Sequence, residues 1–297
     1  MITYHGLIKK AIAGFYYVNV DNHCYECKAR GVFRNRDQSP LVGDSVVIEI
    51  DENEKGVITE VKKRKNEFLR PPIANLDKLF IVTSTCDPSP SLLVIDKLIA
   101  VSEYKEIEPI IVITKTDLRE SEDLYQIYHN SGFKVIALSN MQSDDFGEVK
   151  SELSGCISAF TGNTGVGKSS LMNNLFPSLE LETSDISKKL GRGKHTTRHV
   201  ELYALDGVDG YVADTPGFGS METMRYDVIY KDQLQYCFRE FEPYLNKCKF
   251  TGCSHTVEKG CAVLDALSDG KIEQTRFDSY VTMYEEAKQI KEWEQNK

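Results

Sequence analysis

The feature that most constrains this chain is an eight-residue run, Gly162-Asn163-Thr164-Gly165-Val166-Gly167-Lys168-Ser169, set between an apolar strand ending at Phe160 and a helix through Leu171 and Leu175. It fits G-x-x-x-x-G-K-[ST] in the strand–loop–helix context that this pattern requires. Its glycines let the backbone curl until several N–H groups face one point, and the helix N-terminus adds partial positive charge. Such a loop suits phosphate. Lys168 would reach the β- and γ-phosphates of a nucleotide, and the Ser169 hydroxyl, with Ser170 beside it, would sit at a Mg²⁺ ion. Around the loop, short buried strands are expected at 79–83, 110–114, 134–138, 156–160 and 211–213. Helical stretches such as 91–104 and 121–131 separate them, which implies a parallel α/β sheet.

A phosphate loop does not choose a base. Thr114-Lys115-Thr116-Asp117 follows the strand at 110–114 and matches [NT]-K-x-D. The Asp117 carboxylate can accept from both N1–H and the 2-amino group of guanine, and adenine offers neither. The Lys115 stem can lie along the base plane. Ala137-Leu138-Ser139-Asn140 closes the next strand, where a short loop would touch the base. Asp214-Thr215-Pro216-Gly217 fits D-x-x-G, with Asp214 toward Mg²⁺ and the Gly217 N–H toward the γ-phosphate. Before it lies Gly191-Arg192-Gly193-Lys194-His195-Thr196-Thr197-Arg198, in which either Thr196 or Thr197 would close over the metal. Base-reading motifs thus precede the phosphate loop, the reverse of the ordinary GTPase order. Each still falls at the C-terminal end of a strand, so a circular permutation of the chain can gather them into one pocket.

The N-terminal part differs in kind. Residues 1–65 carry 11 basic and 9 acidic side chains, while 66–220 carry 14 and 22, and the whole chain has net charge −9. Bulk-charge coating of nucleic acid is therefore excluded, but a local basic face is not. Lys28, Arg30, Arg34 and Arg36 form one basic cluster, and Lys62, Lys63, Arg64 and Lys65 form another. Strand-like segments at 11–20, 25–33, 44–50 and 56–61, separated by turn signals, suggest a small closed β-barrel such as the OB-fold, which often binds RNA or DNA. The last part reads as mostly helical, at 230–245 and from 271 onward, interrupted by a Cys/His cluster. Three domains are expected: 1–65, 66–220 and 221–297. With no apolar run long enough for a membrane helix and no signal-peptide pattern at the start, a cytoplasmic chain without a membrane partner is expected. Its eight cysteines then read as thiols or metal ligands, not disulfides.

With these motifs in this order, the sequence resembles the ribosome small subunit-dependent GTPases A, circularly permuted bacterial GTPases with an N-terminal OB-fold. The resemblance covers essentially the whole chain. It includes Cys248-x4-Cys253-x-His255-x5-Cys261, whose three thiolates and one imidazole suit a tetrahedral, structural Zn²⁺. The resemblance implies a monomer that hydrolyses GTP to GDP and phosphate, contacts the 30S subunit and its 16S rRNA during late maturation, and is stimulated by that subunit. Many GTPases place a water-orienting Gln just after D-x-x-G, but here Phe218 stands there. His195, directly before Thr196, is the candidate catalytic group. Cys24 and Cys27 lack a second metal-binding pair and read as strand packing.

Overall fold

The computed structural model describes residues 2–34, 39–52, 54–68, 70–141, 146–177, 200–205, 207–214 and 228–290. The chain packs as two compact units. One comprises Met1–Leu79, Phe146–Thr161 and Ser169–Tyr226; the other comprises Phe80–Asp145, Gly162–Lys168 and Asp227–Lys297.

The first unit opens with a five-stranded barrel: β1 (Ile2–Ile12), β2 (Phe15–Val20), β3 (His23–Ala29), β4 (Ser45–Ile50) and β5 (Gly56–Val61). The order is β1-β2-β3-β5-β4, and β4 pairs back to β1, so the sheet closes on itself as an OB-fold does. Inward positions carry Ile8, Val18, Ile48 and Ile58, all fully buried. The single strand expected over 11–20 is instead the end of β1 and all of β2. Ala13 and Gly14 take φ 51° and 83°, the left-handed pair of a tight hairpin turn.

The basic stretch after β5 is largely consumed by internal pairing. Arg64 forks onto the fully buried Asp44, Nε to Oδ1 at 2.8 Å and Nη2 to Oδ2 at 2.7 Å, and also pairs with Glu67. Lys62 pairs with Glu60 and Lys65 with Asp77. A bidentate guanidinium on a buried carboxylate is a structural joint rather than a charge offered to a partner.

Beyond the two-stranded ribbon of β6 (Glu67–Phe68) and β7 (Ile73–Ala74), this unit holds α3 (Phe146–Leu153), β11 (Ile157–Thr161), β12 (Glu201–Leu205) and β13 (Val208–Asp214). β11 and β13 run parallel, as expected, but β12 is antiparallel to β13 and joins β1 of the barrel at Lys10↔Glu201. The sheet is therefore mixed. β12 buries Leu202 and Leu205, three residues apart across an irregularity between Ala204 and Leu205, so it lacks the alternation that would mark it as a strand in the sequence.

The second unit holds β8 (Lys78–Ser84) from Phe80 onward, α1 (Leu92–Tyr104), β9 (Glu108–Thr114), α2 (Glu122–Asn130) and β10 (Lys134–Ala137), in the order β10-β9-β8 with β9 and β10 parallel. Pro109 to Thr114 are all buried, which explains the unbroken apolar run there. The helix expected over 230–245 is broken into α5 (Lys231–Leu234) and two 3₁₀ segments, Gln235–Cys237 and Arg239–Tyr244, the latter containing Pro243. α6 (Ala262–Ser268) and α7 (Gln274–Lys288) follow. Arg276 of α7 is completely buried and reaches Asp96 of α1 and Glu240 of the second 3₁₀ segment, both at 2.7 Å.

Candidate nucleotide site and metal cluster

The phosphate-loop sequence lies between β11 and α4 (Lys168–Leu175). Its backbone requires glycine at two points. Gly162 has φ 152°, and a Cβ there would sit 2.2 Å from Val82 O. Gly167 has φ 88°, and its Cβ would sit 2.6 Å from Asn140 Nδ2. Asn163, Thr164 and Gly165 are exposed, Val166 is buried, and Lys168 opens the helix.

Two further loops meet this one inside the same unit. Thr114 ends β9 fully buried, with its Oγ1 2.6 Å from Val166 O. Asn140 Nδ2 donates to Gly167 O at 3.1 Å. Ser139 is buried and donates its hydroxyl to Asp117 Oδ1 at 2.7 Å, and it accepts from Met141 N at 3.2 Å. Lys115 takes φ 61°; its ammonium bonds the Asp87 carbonyl, and its own carbonyl accepts from Thr85 Oγ1 at 2.8 Å. Thr114, Lys115, Asp117, Ser139 and the loop 162–168 are thus gathered at one edge of β8, β9 and β10. Thr116 follows in the same turn, its N–H directed at Leu138 O.

Ser169 and Ser170 continue α4, and Asp214 ends β13 in the first unit. His195, Thr196, Thr197 and Gly217 lie outside the described residues.

The Cys/His cluster assembles as its spacing suggests. The donor atoms of Cys248, Cys253, His255 and Cys261 all lie within 4.8 Å of one another. A tetrahedral ion with zinc-like bonds holds two sulfurs about 3.8 Å apart and sulfur from nitrogen about 3.5 Å apart. Cys248 Sγ is 3.8 Å from Cys261 Sγ, and His255 Nδ1 lies 3.5 and 3.3 Å from those two sulfurs. His255 Nε2 faces Gln235 Oε1 at 2.8 Å, which fixes the tautomer that leaves Nδ1 free to ligate. Burial lowers the His255 pKa, keeping the ring neutral, and pushes the Cys253 thiol up to about 12. Three sulfurs and one imidazole nitrogen packed this closely fit a metal, which on binding would take the thiols as thiolates.

The sequence reading missed three supports: Gln235 behind His255, Asn140 behind the phosphate loop, and Arg276 between α7 and α1. Their signal is absent from any local motif because each partner is remote in sequence.

The match to known proteins is end to end. The model of the RsgA GTPase matches residues 61–224, and that of the RsgA N-terminal domain matches residues 5–58. The small ribosomal subunit biogenesis GTPase RsgA of Halalkalibacterium halodurans is 44% identical over 289 residues, 95% of this chain and 97% of that one. The chain belongs to the RsgA GTPase family. An RsgA 2 from Oceanobacillus iheyensis is 45% identical over 95% of the chain. Among solved structures, YjeQ of Thermotoga maritima superposes with TM-score 0.83 at 31% identity, covering 98% of this chain and 100% of that one. YloQ, described as a circularly permuted GTPase, gives 0.79 at 36% identity, covering 97% and 96%. As a member of the RsgA family this protein is a GTPase, with the N-terminal barrel, permuted order and C-terminal Cys/His cluster expected from its sequence. Among the described residues, no helix is long and apolar enough to cross a membrane.

Proposed function

We propose that this GTPase acts on the 30S ribosomal subunit in late maturation, hydrolysing GTP to GDP and phosphate with stimulation by the subunit. The relatives' names state small ribosomal subunit biogenesis, and similarity over 95% of the chain supports carrying that role across. The observation that carries the site assignment is the joining of Asp117 to Ser139 at 2.7 Å beside a phosphate loop anchored by Thr114.

In this reading Asp117 accepts from guanine, Lys115 flanks the base, and Thr114, Thr116 and Ser139 shape its pocket. Gly162, Asn163, Thr164, Gly165, Val166, Gly167, Lys168, Ser169 and Ser170 surround the phosphates. Ser169 and Asp214, with Thr196 or Thr197, would hold Mg²⁺, which when bound neutralises charge on the transferring phosphoryl group. Gly217 senses the γ-phosphate. His195 serves the attacking water, because Phe218 carries no group that can orient it. Cys248, Cys253, His255 and Cys261 hold one structural Zn²⁺. The barrel of residues 1–65 supplies contacts to 16S rRNA, and the protein works as a cytoplasmic monomer.

Calorimetry with GTP on Lys168→Ala tests the site: affinity should collapse, and wild-type affinity would refute the phosphate-loop assignment. Co-sedimentation with 30S subunits tests the partner separately.

A further inference from the structure

We infer that Asn140 is a positioning residue that aims the phosphate-recognising N–H groups of the loop. This rests on the reading above that residues 162–169 hold the nucleotide phosphates.

Two consecutive carbonyls of the loop are each held by a side chain. Val166 O lies 2.6 Å from the Thr114 hydroxyl, and Gly167 O accepts from Asn140 Nδ2 at 3.1 Å. A trans peptide is planar, with its C=O and N–H on opposite sides. Fixing Val166 O therefore fixes the direction of the Gly167 N–H, and fixing Gly167 O fixes that of the Lys168 N–H. Both donors are turned away from the base-reading loops. The Lys168 N–H is also one of the first N–H groups of α4, which has no acceptor within its own helix. As the residue before α4, Gly167 also offers its carbonyl to the first hydrogen bond of that helix, and Asn140 Nδ2 adds a second donor from the opposite element that holds the same oxygen.

The space around Gly167 supports a dedicated role. A Cβ at 167 would lie 2.6 Å from Asn140 Nδ2 and 3.6 Å from Thr114 Oγ1. Glycine is thus required by backbone conformation, and the Asn140 amide fills the space behind it while Thr114 stands at ordinary contact distance. Asn140 shares its turn with Ser139, which holds the base reader Asp117. Neighbouring residues on one turn therefore serve opposite ends of the nucleotide: Ser139 serves the base and Asn140 the diphosphate.

The test is a comparison of GMP and GDP affinities, by competition against a fluorescent GDP analogue, for wild type, Asn140→Ala and Asn140→Asp. Lys168→Ala serves as the control for the phosphate-loop reading itself. Losing one hydrogen bond is worth about five- to tenfold in affinity. In Asn140→Ala the gain from GMP to GDP should shrink by about that factor while GMP affinity stays constant. In Asn140→Asp, which keeps the shape but faces Gly167 O with an oxygen, it should shrink further. Equal loss of GMP and GDP binding would mean general damage to the fold and overturn the proposal, as would wild-type behaviour of Asn140→Asp. If Lys168→Ala also kept the full gain, the phosphate-loop reading would fall instead.

Discussion

Arg276 donates from Nη1 to Asp96 Oδ1 at 2.7 Å, with both side chains shut away from water, and so fastens α7 to α1. Its Nε and Nη2 take both oxygens of Glu240, at 2.7 and 3.2 Å, and its guanidinium lies over the rings of Phe238 and Phe133. Burial alone would lower the Arg276 pKa. The pull of Glu240 and Asp96 outweighs that and holds it raised. The helix that ends the metal-bearing segment is thereby locked to the helix that follows β8.

Arg276→Ala should destabilise the protein by about 3–5 kcal/mol, because two buried carboxylates lose the cation they share. Arg276→Lys should recover little, since one ammonium cannot match two carboxylates and two rings. Urea denaturation checks both; a loss under about 1 kcal/mol for the alanine variant would show that the triad is not what holds α7 to α1.

This joint marks the limit of what the sequence discloses. Motifs confined to a short stretch of chain were legible: the loop 162–168 lies against Thr114 and Asn140, and the four Cys/His donors come together. Barrel strands were legible as strand-like segments between turn signals, but the break inside 11–20 was not, because the Ala13-Gly14 turn carries only one glycine as a signal. Arg276, Asp96 and Glu240 are separated by 36 and 180 residues, and no local pattern joins them. The same holds for Asn140 with Gly167 and Gln235 with His255. The basic run 62–65 misled for the opposite reason: composition shows charge, and only the fold shows that Arg64 is spent on Asp44.

On the reading proposed above, Asp117 chooses the base, and Ser139 holds its carboxylate at 2.7 Å. Asp117→Asn should erase the preference for GTP over ATP, because an amide can present a donor where guanine needs an acceptor. Ser139→Ala should weaken guanine nucleotides about fivefold through loss of one hydrogen bond. Competition binding with GTP and ATP reads both, and an unchanged preference in Asp117→Asn would remove it as the base reader.

The metal cluster predicts one zinc per chain in protein purified without chelator. Cys253→Ala should fall well below that and loosen the segment around α6. Gln235→Ala keeps all four ligands but frees the His255 ring, and should lower zinc affinity about tenfold or more. Elemental analysis and chelator competition measure these effects; full zinc retention by Cys253→Ala would contradict the four-ligand assignment.

Glu103 supplies a pH signature. Burial raises its pKa to about 7, although Arg239 Nε lies 2.8 Å away and pulls it down. The folded chain therefore keeps a proton that the unfolded chain has released from about pH 4.5 upward. Stability contributed by this proton is lost as pH rises toward 7. Glu103→Gln has no such proton, so the fall in stability from pH 5.5 to 8 should be about 2 kcal/mol smaller than in wild type. Paired urea titrations at the two pH values test this; identical falls would show that Glu103 is ionised throughout.

The central claim is that this chain is a GTPase whose turnover is driven by the small ribosomal subunit. The most direct test measures phosphate release from GTP and from ATP by the purified protein, alone and with 30S subunits, for wild type and His195→Ala. Expected are slow release from GTP alone, a marked rise with 30S, none from ATP, and a lost rise in His195→Ala despite normal GTP binding. Equal rates with and without 30S subunits, or equal use of ATP, would contradict it.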